Sequence, residues 1–341
     1  MMDRPIRLLL DSASPQFVQR VSELPDAAFF EILSYVGKGV QGMRELIPHA
    51  DAAYIYQDDL PGEFIRAASS LRFIQKHGLN CKNIDLVAAS ERGIPVATLP
   101  LFRNVAVAEH ALALMLACAH KILPGHRAVE NAVYLEMGLE SIRTTQREYR
   151  ANWPKIEGVT ELMGGSVGII GLGDIGMEIA RRCRAFGMDI FYNQRRRHEA
   201  AIEESHEARF MSFENLLETV DYLVLVLPHT PETEGLIGSA ELARMKPTAT
   251  LINVARGGVV DEDALVEALT SGKIAMAGLD VYRDEPLPAS SSLSDLPNVV
   301  LAPHTGGGSY RSHIVDRPAA LSNILRYFQD GQPKGVVNTP K

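Results

Sequence analysis

The chain has 341 residues, 34 basic and 42 acidic, for a net charge of −8, with 46% apolar and 22% charged side chains. Those proportions exclude a disordered chain, and the acidic balance argues against nucleic acid as the main partner, because phosphate backbones call for a basic face. Three scattered cysteines, Cys81, Cys118 and Cys183, make neither a disulfide framework nor a zinc site and point to a reducing compartment.

At about 150 residues per domain the length suggests two domains. The opening MMDRPIRLLLD has too short an apolar run for a signal peptide and reads as a β-strand over Ile6–Leu10. Further strands are expected at Ala52–Ile55, 73–75 and 96–98, with helical stretches between them, for example over 64–70. A long helix is expected over 107–123, apolar on most of its surface and therefore buried. Its longest purely apolar run, 111–119, falls short of the ~18–20 residues that span a bilayer, so the expectation is a soluble, cytoplasmic protein without a membrane partner. Residues 124–162 are polar and irregular and hold the single tryptophan, Trp153. A strand at Ser166–Ile170 opens a second alternating series that runs to Val299–Leu301, and a last helix covers Tyr310–Asp330. Alternation of short aliphatic strands with helices predicts an α/β fold with parallel sheets. The second series reads as an insertion, giving one unit from 1–105 with 309–341 and another from 106–308.

Residues 171–176 read GLGDIG. With 27 glycines in 341 residues, roughly 0.2 matches to this spacing arise by chance, so the context decides. The motif follows a strand and opens a helical pattern over 177–186. There Gly171 permits the tight turn, Gly173 lets backbone approach a pyrophosphate, and Gly176 allows close helix–strand packing. The amides of Asp174 and Ile175, at the positive end of the helix dipole, would face the phosphates. A dinucleotide is the expected ligand. At the end of the next strand, Asp189–Asn193, NAD-binding chains usually carry a carboxylate for the ribose hydroxyls. Here Asn193 stands instead, followed by Gln194, Arg195, Arg196, Arg197 and His198. Forked guanidinium donors suit a 2′-phosphate, so NADP (NADPH) is expected through Arg195 and Arg196, with NAD as the alternative.

Three later segments end strands of the same series with reactive side chains: TLINVARGG (250–258) with Arg256, AGLDVYRDEP (277–286) with Asp280 and Glu285, and VVLAPHTGG (299–307) with His304. Together with NVAVAEH at 104–110, the glycine turn and PHTPET at 228–233, they resemble the D-isomer-specific 2-hydroxyacid dehydrogenases over nearly the whole chain. The resemblance implies two Rossmann-like domains with parallel sheets, the dinucleotide domain inserted into a flavodoxin-like substrate domain, and an active site in the cleft between them. It implies His304 as acid/base, Glu285 as its partner and Arg256 as anchor for the substrate carboxylate and carbonyl. Asp280 would hold the nicotinamide carboxamide, and Pro228 would line the cofactor. Backbone amides of Gly78, Leu79 and Asn80 would hold the carboxylate of the substrate, and Lys76 could add charge. Asn80 departs from the pattern, since glycine is common there; asparagine tolerates left-handed backbone better than most residues.

Those residue types suit the chemistry. Reducing a 2-keto acid puts a hydride on carbon and a proton on oxygen. An imidazolium can donate that proton, a neighbouring carboxylate favours the imidazolium, and a guanidinium binds a carboxylate with paired donors. No metal is called for, and no cluster of metal ligands stands at ligand spacing. Glu285 argues against formate dehydrogenases, whose hydride transfer needs no proton relay. Phosphoglycerate dehydrogenases often carry a further C-terminal domain, whereas this chain stops at Lys341. The YNQRRRH pattern (192–198) resembles NADPH-using glyoxylate/hydroxypyruvate reductases, some of which reduce 2-ketogluconate. A small 2-keto or 2-hydroxy acid is therefore the expected partner, and the family implies a homodimer. The alternatives are an NAD-dependent enzyme of other specificity and a dinucleotide-sensing corepressor, the latter disfavoured by the lack of long extensions and basic clusters.

Overall fold

A computed structural model describes residues 4–11, 15–308 and 310–340. The chain divides into two compact units, 1–103 with 309–341, and 104–308.

The first unit holds a parallel sheet of β1 (Ile6–Leu10), β2 (Phe30–Ser34), β3 (Ala52–Ile55), β4 (Phe73–His77) and β5 (Val96–Leu99) in the order β2-β1-β3-β4-β5. That order is the flavodoxin-like one. Both faces are covered, which is why β1 reads as a nearly continuous apolar run, interrupted only by Arg7, and not as an alternation. Leu9, Ala53 and Ile55 pack on one face beside Ile65 and Ala88. Leu8, Leu10, Ala52 and Tyr54 pack on the other, against Leu321, Ile324 and Leu325 of the final helix, Tyr310–Asp330. The final helix therefore belongs to this unit, and Asn323 ties it down through Gln75 Oε1 at 2.7 Å and the backbone of Lys334.

The second unit holds β6 (Ser166–Ile170), β7 (Asp189–Asn193), β8 (Ala208–Phe210), β9 (Tyr222–Leu225), β10 (Thr250–Asn253), β11 (Met276–Leu279) and β12 (Val299–Leu301), all parallel, in the order β12-β11-β10-β9-β6-β7-β8. This is the doubly wound dinucleotide-binding arrangement with one strand added, and its order reverses at β6. Two α/β units, each built on a parallel sheet, are the architecture that the sequence pattern predicts.

Two local features differ from the sequence expectation. The helix over 107–123 is two helices, Phe102–Ala119 and Ile122–Glu130, separated by Lys121 at φ +51°. Pro124 explains the break: in a continuous helix its ring would collide with the carbonyl of His120, whereas in the first turn of a new helix its missing N–H costs nothing. The first helix starts early because Asp316 accepts from the amides of Phe102 and Arg103 at 2.8 and 3.3 Å. By length and composition this helix is apolar enough to cross a membrane, but Ala108, Ala111, Met115 and Cys118 are buried in the second unit's core.

Candidate active site

Every predicted reactive residue of the second unit follows the C-terminal end of a strand, where open α/β sheets bind ligands. The glycine turn joins β6 to the helix Asp174–Ala185, with Gly173 as its N-cap. Gly171 sits at φ +99°, and a Cβ there would lie 2.9 Å from Val226 O. A Cβ on Gly176 would run into Gly171 O, so this glycine lets the helix lie against the strand end. Gly173 is different, because an added Cβ would meet nothing within 4 Å. The fold has no use for a glycine there, and the open space above the helix N-terminus, where anions are favoured, fits a pyrophosphate.

Asn193 closes β7, and its Nδ2 donates to Met211 O at 2.8 Å. Of the three arginines that follow, Arg197 is held by Glu203 through bonds of 2.9 and 2.8 Å. Arg195 and Arg196 are exposed and make no side-chain hydrogen bond or ion pair among the described residues. Pro228 is exposed beyond β9, and its carbonyl accepts from Thr233 Oγ1 at 2.8 Å, which closes the 228–233 turn.

Arg256 follows β10, exposed and in extended backbone, with Nη1 donating to Ala255 O at 2.6 Å. Its neighbour Gly257 packs against the backbone of Tyr282 so closely that a Cβ would land inside the Tyr282 carbonyl group. The Arg256 and Glu285 segments are thereby interlocked. Tyr282 also fixes the others: its amide donates to Glu285 Oε1 at 3.2 Å and its hydroxyl to Ala302 O at 2.8 Å.

The residue expected as acid/base, His304, lies with Nδ1 2.6 Å from Glu285 Oε2, both side chains about two-fifths exposed or less. With Nδ1 against the carboxylate, Nε2 is left to face outward. His304 has φ +54°, a left-handed conformation that costs a non-glycine residue free energy and persists only when its surroundings enforce it. Asp280 does the enforcing. Its two oxygens accept from the amides of Thr305 and Gly306 at 2.8 and 2.9 Å, directly after His304. His110 Nε2 lies 3.0 Å from Asp280 Oδ1, within ion-pair range though off the line of a good hydrogen bond. Burial pushes the Asp280 carboxyl up, but His110 and the two amides outweigh it and hold the group below the usual carboxylate range.

In the first unit, Gly78 has φ +89° and is buried, Leu79 is exposed, and Asn80 uses Oδ1 to accept from Lys82 N at 3.0 Å in a side-chain turn. Asn80 thus serves its own loop. Lys76 is buried, its ammonium donating to Tyr56 O, and burial pushes its pKa down. Among the described residues no group of three or more His, Cys, Asp or Glu could hold a metal ion.

The family model for the NAD-binding domain of D-isomer-specific 2-hydroxyacid dehydrogenases matches residues 112–306. The chain belongs to that family of NAD(P)-dependent 2-hydroxyacid oxidoreductases. The dehydrogenase is 36% identical over 281 residues to glyoxylate/hydroxypyruvate reductase B of Pectobacterium atrosepticum, covering 81% of this chain and 82% of that one. It is 34% identical over 303 residues to D-3-phosphoglycerate dehydrogenase of Archaeoglobus fulgidus, covering 87% of this chain but spanning only about half, 53%, of that relative. Among solved structures it is similar to an NADPH-dependent glyoxylate/hydroxypyruvate reductase of Sinorhizobium meliloti, with TM-score 0.65 and 28% identity over 99% of this chain and 98% of that one.

Sequence reasoning assigned no role to His110 or Tyr282. His110 lies in the NVAVAEH stretch on the buried helix, where a lone polar ring among alanines was the available signal. Tyr282 gave none, because its part depends on which carbonyls its hydroxyl and backbone meet after folding.

Proposed function

We propose that this dehydrogenase reduces small 2-keto acids, glyoxylate and hydroxypyruvate foremost and 2-ketogluconate as a further candidate, to D-2-hydroxy acids with NADPH. The observation that carries the reading is the 2.6 Å contact of His304 Nδ1 with Glu285 Oε2, in a loop pinned by Asp280. The bound nicotinamide supplies the hydride that reaches the keto carbon. His304 donates a proton from Nε2 to the carbonyl oxygen, and Glu285 holds the ring by Nδ1 in the orientation and tautomer that leave Nε2 outward. Arg256 binds the substrate carboxylate and polarises the carbonyl. Asp280 holds the His304 loop through the amides of Thr305 and Gly306.

The NADPH preference is supported by Asn193 in the usual carboxylate position, by exposed Arg195 and Arg196, and by the likeness to a reductase described as NADPH-dependent. A steady-state panel of glyoxylate, hydroxypyruvate and 2-ketogluconate with each cofactor tests both halves. Turnover is expected with NADPH at a kcat/KM at least about tenfold above NADH, the ~1.4 kcal/mol that one charge-assisted contact supplies. Turnover with NADH alone would reject the cofactor preference, and no reduction of any of the three acids would reject the substrate class.

A further inference from the structure

We propose that Gln194 and His198 are positioning residues that set the cofactor preference, by tying the glycine turn to the segment bearing Arg195 and Arg196. The proposal rests on the NADPH reading above. Leu172 is the second residue of the glycine turn, and its side chain is fully buried. Both of its backbone groups are taken by the segment after β7. Its N–H donates to Gln194 Oε1 at 3.2 Å, and its carbonyl accepts from His198 Nε2 at 2.7 Å. A carbonyl only accepts, so Nε2 carries the proton in this arrangement. Gln194 continues the tie in the other direction, with Nε2 donating to Arg196 O at 2.7 Å. One side chain thus bridges the phosphate turn and the backbone of an exposed arginine.

The far side of the segment is anchored as well. His198 N donates to Tyr192 Oη at 2.9 Å, Tyr192 Oη donates to Glu203 Oε1 at 2.7 Å, and Glu203 grips Arg197, whose guanidinium lies 5.8 Å above the Phe210 ring. This chain of contacts withdraws Arg197 from the ligand side and leaves Arg195 and Arg196 exposed. Their backbone is held at both ends.

The consequence for selectivity follows from the ligand's covalent structure. In NADPH a pyrophosphate and a 2′-phosphate hang from one ribose, so their receptors must stand at a fixed spacing. Bonds to both backbone groups of Leu172 set that spacing before the ligand arrives, and the ordering cost is not charged to binding. A ligand without the 2′-phosphate uses the turn but not the arginines, and gains little from the tie.

The experiment is calorimetric titration of the full-length protein with NADPH and with NADH, for wild type, Gln194→Ala and His198→Ala. Losing one such hydrogen bond is expected to weaken NADPH by about tenfold in each variant. NADH should change by less than about threefold, which also serves as the check that the turn is intact. Equal losses for the two cofactors would overturn the proposal, because the contacts would then merely shape the turn; so would unchanged NADPH affinity. A wild-type protein that binds NADH as tightly as NADPH would instead strike the cofactor reading itself, and that is seen before any variant is made.

Discussion

Alanine at Gly173 and alanine at Gly176 add the same methyl group to the same turn, yet the structure assigns them opposite consequences. At Gly176 the Cβ falls within 3.0 Å of Gly171 O, a backbone atom that moves only with the turn. Overpacking costs typically about 1–3 kcal/mol, and against a backbone atom the upper part of that range applies, about 2–3 kcal/mol; the better helix propensity of alanine returns about 1 kcal/mol, for a net loss of about 1–2 kcal/mol. For a unit of this size that is a fall in Tm of roughly 2–8 °C. At Gly173 the backbone is at φ −85° and ψ −161°, which alanine adopts, and the Cβ meets nothing within 4 Å. A somewhat weaker N-cap is offset by the less flexible unfolded chain, so stability should stay within about 1 kcal/mol of wild type. The methyl nevertheless fills the space offered to a pyrophosphate, and NADPH should bind at least about tenfold more weakly. Thermal unfolding and calorimetric titration of the two variants separate the effects. Gly173→Ala binding NADPH within twofold of wild type would show that no phosphate docks there. Gly176→Ala with an unchanged Tm would show that the helix has room the structure denies it.

Three other outcomes are expected. Asp280→Asn puts an amide N–H against one of the Thr305 and Gly306 amides, leaving buried donors unsatisfied; a loss of about 2–3 kcal/mol in urea unfolding is expected, together with slower turnover, and an unchanged midpoint would contradict the assigned role. Replacing Arg195 and Arg196 together by Ala should raise Kd for NADPH at least about tenfold more than for NADH, whereas equal changes would mean that neither guanidinium meets a 2′-phosphate. Burial, with Arg317, Lys76 and Arg103 nearby, holds the His77 imidazole down to about 3, neutral and 2.6 Å from Tyr54 Oη. Since the unfolded value is about 6.5, the unfolded chain binds more protons between these limits and stability falls as pH drops through them. Wild type should therefore lose about 2 kcal/mol more than His77→Phe between pH 7 and pH 5 in urea unfolding, and parallel pH curves would refute the assignment.

Much of the architecture was legible because it rests on local pattern. Strands β1, β3 and β6 stand where short aliphatic runs put them, and the glycine turn lies between a strand and a helix as its context required. Strand β2 escaped notice: it is an edge strand, paired only with β1, and its exposed Glu31 breaks the apolar run. The start of the helix Phe102–Ala119 was also hidden, because its cap is Asp316, more than 200 positions away. The break at Lys121, in contrast, was available from Pro124, whose ring needs the preceding turn cleared. In the site, motif order gathered Arg256, Asp280, Glu285 and His304 at successive strand ends. What the motifs did not carry was how Asp280 is used. A carboxylate in a turn is equally suited to a ligand amide or to its own backbone, and only folding shows that Thr305 and Gly306 occupy it.

The most direct test of the account is single-turnover oxidation of NADPH on mixing enzyme with glyoxylate, followed by stopped-flow for wild type and His304→Ala, with NADPH affinity measured alongside. If His304 supplies the proton and Glu285 only steers it, the variant should bind NADPH within about twofold of wild type and transfer hydride at least about a hundredfold more slowly. A variant that turns over within threefold of wild type would mean that another group protonates the carbonyl, and the role given to the His304–Glu285 pair would be wrong.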